Sequence, residues 1–237
     1  MLGRAMVFGA VVVCAIFASG GDTAAGTQAF RNGDYKTASR EWRVAADQGQ
    51  AEAQYDLGML YLKGLGVARD PQEAFRLLRL AAEQGQADAQ YQVGLMNEKG
   101  VGVPQDYAEA QHWYALSAAR GDSEAEVGLA ALYEQGYGVP KDLSRAVYWY
   151  TRAAEQGYGP AQSRLGACYA AGKGVNQDFV KAYFWVTLAV KQHERDAEKQ
   201  RSKLAPKLSP DDVTTTEQSA SVWKPKPGQA PNPATVH

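Results

Sequence analysis

The sequence predicts an all-α protein, an α/α solenoid of stacked antiparallel helix pairs. Two observations predict it. Residues 51–86 are followed by three more blocks of the same 36-residue length, 87–122, 123–158 and 159–194. Within the blocks, glycine, alanine and aromatic residues return at fixed positions, counted here from the first residue of each block. Repeats of this length are typical of helix pairs that cannot bury their apolar face alone and therefore stack on their neighbours.

The first helix of each block carries its small and apolar residues on one stripe. Position three is always alanine, position seven is leucine or valine, and position eleven is tyrosine except in the second block. A spacing of four residues puts these side chains on one face, which we expect to pack on the second helix and on the next repeat. A glycine, Gly64 in the first block, then ends the helix, because a left-handed residue closes the last turn without a clash.

The second helix of each block begins after an aspartate, such as Asp70, which can cap free backbone N–H groups. Alanines and a recurring tryptophan follow. Because the tryptophans keep a fixed repeat position, we interpret them as inter-repeat packing residues rather than as platforms for sugars or bases. They are Trp113, Trp149 and Trp185. His193 replaces the final glycine of the fourth block, so the last helix is predicted to run on into the charged stretch that follows.

Residues 1–25 resemble a secretory signal peptide. Arg4 provides the charged end, an apolar run follows, and cleavage is expected after Gly20 or after Ala25. This predicts a periplasmic protein. Secretion, a lipid attached at Cys14 and an uncleaved membrane anchor are less favoured alternatives.

The segments around the repeats are assigned from composition. Residues 26–50 resemble the second half of a block and are predicted to form an N-terminal partial repeat that caps the stack. Residues 195–223 are predicted to form C-terminal capping helices, with Trp223 docking on the stack. The proline-rich residues 224–237 are predicted to be an extended, disordered tail.

Charge and composition exclude several classes of function. The 25 Lys and Arg residues against 26 Asp and Glu residues show none of the basic excess that phosphate contacts require, so we expect no nucleic-acid partner. The three histidines share no metal-ligand spacing. Cys168 takes a core position of its repeat and is predicted to be a buried thiol. The sequence therefore predicts a protein that binds no metal or cofactor, has no catalytic residue and is not an enzyme.

The recurring pattern A-x-x-x-L-G-x-x-Y-x-x-G-x-G-V-x-x-D-x-x-x-A-x-x-W-x-x-x-A-A-x-x-G is similar to the Sel-one-like repeat family, relatives of tetratricopeptide repeats. The resemblance extends from Ala29 to about His193. It implies right-handed stacking of the helix pairs and an adaptor role. It also implies exported bacterial relatives among envelope regulators and polysaccharide-assembly scaffolds.

The candidate binding surface lies on the stripe of the first helices opposite the core stripe, at positions two, five, nine and twelve. These positions lie roughly 180° from the core stripe, so we expect them to line the concave side. Contiguous apolar residues on such a face indicate an interaction surface. The predicted partner-binding residues are Tyr55, Met59, Leu62, Tyr91, Leu95, Glu98, Val127 and Glu134.

The predicted function is that of a non-catalytic periplasmic adaptor that binds a protein partner on this concave face, in envelope signalling or in the envelope polysaccharide machinery. Two alternatives stay open at this point. One is a cell-wall or β-lactam hydrolase, and the other is a glycan-binding envelope module.

Asn97 departs from the repeat pattern, because it replaces the tyrosine of position eleven in the second block. Buried polar groups need partners. Either the stack is locally loose there or Asn97 supplies a hydrogen bond, and looseness is favoured. Looseness predicts faster amide exchange around Asn97 than around Tyr133.

Overall fold

The computed structural model describes residues 23–228, which form twelve α-helices and, within that range, no strand. A 3-10 turn at Ala205–Lys207 precedes the last helix. The helices are α1 (Thr23–Arg31), α2 (Tyr35–Asp47), α3 (Ala51–Lys63), α4 (Pro71–Glu83), α5 (Ala87–Lys99), α6 (Tyr107–Ala118), α7 (Ser123–Gln135), α8 (Leu143–Glu155), α9 (Gly159–Ala171), α10 (Phe179–Lys191), α11 (Ala197–Leu204) and α12 (Pro210–Val222).

The helices stack in chain order. In each repeat the first helix packs on the second, as α3 does on α4, and the second packs on the first helix of the next repeat, as α4 does on α5. The first helices α3, α5, α7 and α9 begin 36 residues apart. The predicted all-α stack of helix pairs is therefore confirmed.

Glycines set the connections between the two helices of a repeat. Gly64 ends α3 with φ 71° and ψ 33°, in the left-handed region, and its N–H donates to the carbonyl oxygen of Leu60. In the second repeat, Gly100 ends α5 in the same way. Gly102, two residues later, lies directly against the preceding repeat. A side chain at Gly102 would collide with the carbonyl oxygen of Pro71. These glycines therefore allow both the sharp turn and the close stacking.

The recurring tryptophans pack as predicted. Trp113 and Trp149 are buried, and Trp149 belongs to a core cluster that joins α6, α7, α8 and α9. Trp185 is half-buried, and its ring contacts that of Trp223 with the centroids 6.2 Å apart. The rings fill space between successive helix pairs.

The N-terminal end contains a complete helix pair rather than only the second half of a block. Helix α1 is a shortened first helix that packs on α2. Gly26 makes this packing possible, because a Cβ atom there would collide with the ring of Trp42. The expected signal peptide falls mostly on residues 1–22, outside the described part of the chain, and its last three residues open α1. Among residues 23–228, no helix has the length and apolar content needed to cross a membrane.

The C-terminal end differs from the sequence prediction at two points. Helix α10 ends at Lys191 instead of continuing, and His193 takes a positive φ of 56° in place of the missing glycine.

Residues 224–228, assigned above to a disordered tail, lie against the end of α8. The N–H of Lys226 donates to the carbonyl oxygen of Glu155 at 2.8 Å, and its Nζ lies 2.8 Å from the Glu155 carboxylate. Prolines have no backbone N–H to donate, and the many prolines of this segment led to the prediction of disorder. Lys226 lies between two of them and supplies the N–H that they lack. The rest of the predicted tail lies outside the described residues.

Candidate functional site

Two pairs of first helices from successive repeats are in direct contact. Helix α5 contacts α7, and α7 contacts α9. Among residues 23–228, no contact of similar extent joins the second helices of successive repeats. Helices on the inner side of a curved stack approach each other most closely, so we infer that α5, α7 and α9 form the inner side and that α3, the first helix of the first repeat, continues it.

The eight predicted partner-binding residues are all half-buried on α3, α5 and α7. We call them the inner stripe: Tyr55, Met59, Leu62, Tyr91, Leu95, Glu98, Val127 and Glu134. Five of its aromatic and apolar members pack against the core clusters. Tyr55, Met59 and Leu62 pack against the cluster centred on α4 and α5. Tyr91 and Val127 pack against the cluster that includes Trp149.

The two glutamates of the inner stripe are held by tyrosines of the second helices. The hydroxyl of Tyr114 donates to Glu98 at 2.6 Å, and that of Tyr150 donates to Glu134 at 2.9 Å. Burial, reinforced by these carboxylates, raises the pKa of both tyrosines above the usual range, so they remain donors. Glu98 also pairs with Lys99. The glutamates are therefore anchored parts of the surface rather than mobile edge charges.

The tyrosines of the inner stripe lie in an acidic environment. Burial raises the pKa of Tyr91 to about 12, and Glu124 is the next cause. Burial also raises the pKa of Tyr55, followed by the charge of Asp88. Asp88 and Glu124 are exposed, occupy position two of their repeats, and form no ion pair with another residue in the described part of the chain. The inner side is thus both aromatic and acidic where the first helices begin.

A cavity of about 230 Å³ lies at the N-terminal end of the inner stripe, between α1, α2 and α3. Tyr55 and Met59 line it together with Phe30, Trp42 and Asp56. Burial, followed by the negative charge of Glu52, raises the pKa of Asp56 to about 6. Asp56, which the sequence analysis did not select, therefore lines the same cavity as Tyr55 and Met59, which it did select.

A row of buried polar side chains at position four was missed by the sequence analysis. Gln54 and Gln90 each donate to a carbonyl oxygen eight residues earlier, at 3.2 and 3.1 Å. Gln162 does the same at 3.2 Å, and Glu126 holds this position in the third repeat. Each bond ties a first helix to the second helix before it. The recurrence of Gln at position four was visible in the sequence, but its burial was not.

Asn97 is buried and makes the hydrogen bond that the sequence analysis considered the less favoured alternative. Its side-chain amide donates to the carbonyl oxygen of Val93 at 2.9 Å, one turn earlier in the same helix. The bond satisfies the amide without linking two helices. Asn97 also lines a cavity of about 320 Å³ with Phe75 and Trp113, where a tyrosine ring would otherwise add bulk.

Among residues 23–228, the structure contains no group of three or more His, Cys, Asp or Glu side chains that could hold a metal ion. Cys168 is buried in a core cluster, as predicted. His112 is exposed, with its ring beside that of Trp113.

The repeat architecture has a direct counterpart among protein families. The family model described as Sel1 repeat matches residues 51–86, 87–122, 123–158 and 159–193. The chain belongs to the Sel1 repeat family. Sel1 repeat proteins are generally scaffolds for protein interactions.

Two solved structures share the fold of this Sel1 repeat protein. One is a Sel1 repeat protein from Oxalobacter formigenes, with 33% identity and a TM-score of 0.73 over 84% of this chain and 87% of that one. The other is a protective antigen of uropathogenic Escherichia coli with an SLR fold, with 25% identity and a TM-score of 0.54. That match covers 91% of this chain but only 59% of the antigen. A comparison with curated proteins finds no match.

Proposed function

We propose that this Sel1 repeat protein is a non-catalytic periplasmic adaptor that holds a protein partner on the inner stripe. The observation that carries the proposal is the contiguity of the inner stripe. Tyrosine, methionine and leucine side chains of α3 and α5 remain half-exposed. They lie at the same repeat positions as residues of α7, on the side of the stack where α5 contacts α7 and α7 contacts α9. A few anchor residues, among which tyrosine is enriched, contribute most of the binding energy of protein interfaces.

Contacts within the stack hold part of the inner stripe in place without a partner. The ring of Tyr91 lies against that of Tyr114, with centroids 5.8 Å apart, and the Tyr114 hydroxyl is bonded to Glu98. Side chains that are already ordered lose little conformational entropy on binding, which favours affinity. A folded or extended partner segment would lie along the stripe.

The proposed location depends on the signal peptide, and α1 favours one of the two cleavage sites. Cleavage after Ala25 would remove the first turn of α1, including the Thr23 carbonyl oxygen that accepts from Trp42 Nε1 at 3.4 Å. Cleavage after Gly20 would keep the helix whole. We therefore expect periplasmic extracts to contain a chain that begins at Gly21, which intact-mass measurement would detect. The exported relatives implied by the resemblance favour a partner in envelope signalling or polysaccharide assembly.

The proposal is tested by site-specific photo-crosslinking in intact cells. A photoreactive residue replacing Leu95, which is half-buried on the inner stripe, should give a discrete adduct with one partner. The same residue replacing Val44, which is exposed on α2, should not. Adducts of equal yield at both sites would remove the inner stripe from consideration.

The double substitution Tyr55→Ser with Tyr91→Ser should abolish that adduct while leaving the helical circular dichroism unchanged. Its matched control is Tyr107→Ser with Tyr137→Ser, a pair whose rings stack 4.8 Å apart outside the inner stripe. Unchanged capture by the first pair would contradict the proposal.

A further inference from the structure

The cavity at the N-terminal end of the inner stripe has aromatic walls. The centroids of the Phe30 and Trp42 rings lie 5.6 Å apart, and Tyr55, Met59, Leu60 and Leu65 also line the cavity. Trp42 is buried, whereas Phe30 is 39% exposed. The cavity is therefore deep on the α2 side and open on the α1 side.

Asp56 is the acidic group of the cavity, and it has no partner. It is half-buried and forms neither a hydrogen bond nor an ion pair with any residue of the range 23–228. Lys63 lines the same cavity, but it lies seven residues further along α3, about 10 Å along the helix axis, and remains exposed. A partly buried carboxylate without a counter-charge is costly, and a cation entering the cavity would relieve that cost.

We propose that this cavity binds the side chain of an arginine or lysine from an extended partner segment. Ammonium and guanidinium groups are attracted to the faces of tryptophan, tyrosine and phenylalanine, and a carboxylate beside those rings adds a charge-assisted hydrogen bond. The proposal rests on the proposed function and defines the chemical class of the partner.

The surface beyond the cavity favours the same class of partner. Asp88 and Glu124 continue the negative charge along the first helices, where both act on Tyr55 and Glu124 also acts on Tyr91. Residues 51–158 contain 15 Asp and Glu against 9 Lys and Arg, so this part of the stack would repel an acidic segment. A basic segment that anchors one side chain in the cavity would meet further carboxylates along the inner stripe.

The test uses the exported full chain and a fluorescein-labelled peptide in which one central arginine is flanked by alanine and glycine. Fluorescence anisotropy measures the dissociation constant. Replacing the arginine with citrulline, which is neutral and of the same shape, should weaken binding at least about tenfold. Asp56→Asn should cause a similar loss, and Phe30→Leu a smaller one, because it keeps the apolar volume but removes a ring.

The matched control is Asp47→Asn, which removes the same charge at an exposed position at the end of α2. It should change the affinity less than about twofold, since exposed charges contribute little. Equal losses from Asp47→Asn and Asp56→Asn would show general electrostatic attraction and would overturn the cavity assignment. Equal affinity for the arginine and citrulline peptides, or no binding of either, would also overturn it. Circular dichroism confirms that each variant is folded.

Failure of this inference is distinguishable from failure of the proposed function. A partner crosslinked at Leu95 in cells, combined with no arginine dependence in the peptide assay, would support the adaptor and remove the basic-segment assignment. Arginine-dependent peptide binding without any adduct at Leu95 in cells would support the cavity assignment and contradict the adaptor.

Discussion

Glu126 and Arg152 form an ion pair inside the stack. A carboxylate oxygen of Glu126 lies 2.8 Å from the Arg152 guanidinium, and the Glu126 side chain is fully buried. Gln156 donates to the other carboxylate oxygen at 2.8 Å. The other three repeats have glutamine at this position, which bonds to a backbone carbonyl instead. The third repeat has thus replaced a neutral contact with an ionic one.

This replacement predicts a pH-dependent stability. Burial, opposed by Arg152, raises the pKa of Glu126 to about 7 from an ordinary value of 4.5. Between these two values the folded chain holds a proton that the unfolded chain has lost. The free energy of unfolding should therefore fall as the pH rises through that range, by at most about 1.4 kcal/mol per pH unit from this group. Above about pH 7 its contribution should stay constant.

Glu126→Gln should remove that slope, because glutamine does not titrate and can make the bond seen in the other repeats. Urea unfolding between about pH 5 and about pH 8 measures it for both proteins. Asp56 titrates with the same sign in both, so the difference isolates Glu126. Glu83→Gln, at an exposed residue of α4, is the control and should keep the slope. Parallel profiles for Glu126→Gln and the original chain would show that Glu126 stays ionised throughout.

Trp149→Ala should destabilise the fold strongly. The ring is 2% exposed and belongs to the cluster that joins three repeats, so its removal leaves a cavity between helix pairs. The expected loss is about 3–5 kcal/mol of unfolding free energy, enough to unfold a marginally stable domain. His112→Ala, at an exposed residue of α6, should change the stability by less than about 0.5 kcal/mol. Chemical denaturation of both variants compares them, and a similar small effect for Trp149→Ala would contradict its packing role.

Cys168 should react slowly with thiol reagents in the native protein. Burial, followed by the negative charge of Glu134, raises the pKa of its thiol to about 11. Because the thiolate is the reactive species, labelling near neutral pH should be at least about 100-fold slower than in denaturant. Ala171→Cys places a second thiol at the exposed end of α9 and serves as the internal control. Two thiols that label at the same fast rate in the native variant would show that the core around Cys168 is open.

Asn97→Tyr should stabilise the second repeat. A tyrosine would occupy the cavity beside Trp113, as Tyr133 fills its own repeat, and cavity filling commonly adds about 0.5–2 kcal/mol. The reverse change, Tyr133→Asn, should cost more, since it removes a buried ring. Urea midpoints measure both effects. The earlier expectation of faster amide exchange around Asn97 than around Tyr133 remains a prediction, and Asn97→Tyr should abolish that difference. A loss of stability in Asn97→Tyr would mean that the cavity cannot accept the ring.

The sequence by itself determined the period, the helices and their ends. Those features depend on contacts between residues that are close in sequence. The N–H of Gly64 donates to the carbonyl oxygen of Leu60 at the end of α3. The Asp70 carboxylate accepts from the N–H groups of Gln72 and Glu73 at the start of α4. Such local interactions repeat whenever the residues repeat, so they can be read from one block and checked in the next. The positions of the inner stripe follow from the same helical spacing.

Only the tertiary structure decided which polar groups have partners. Glu126 meets Arg152 across two helices, Lys226 reaches Glu155 from 71 residues away, and Asp56 is left unpaired beneath rings from α1 and α2. These outcomes depend on how one helix pair rotates against the next and on where both ends of the chain return to the stack. Stacking geometry of that kind arises from the sum of many packed side chains, and therefore leaves no local pattern in the sequence.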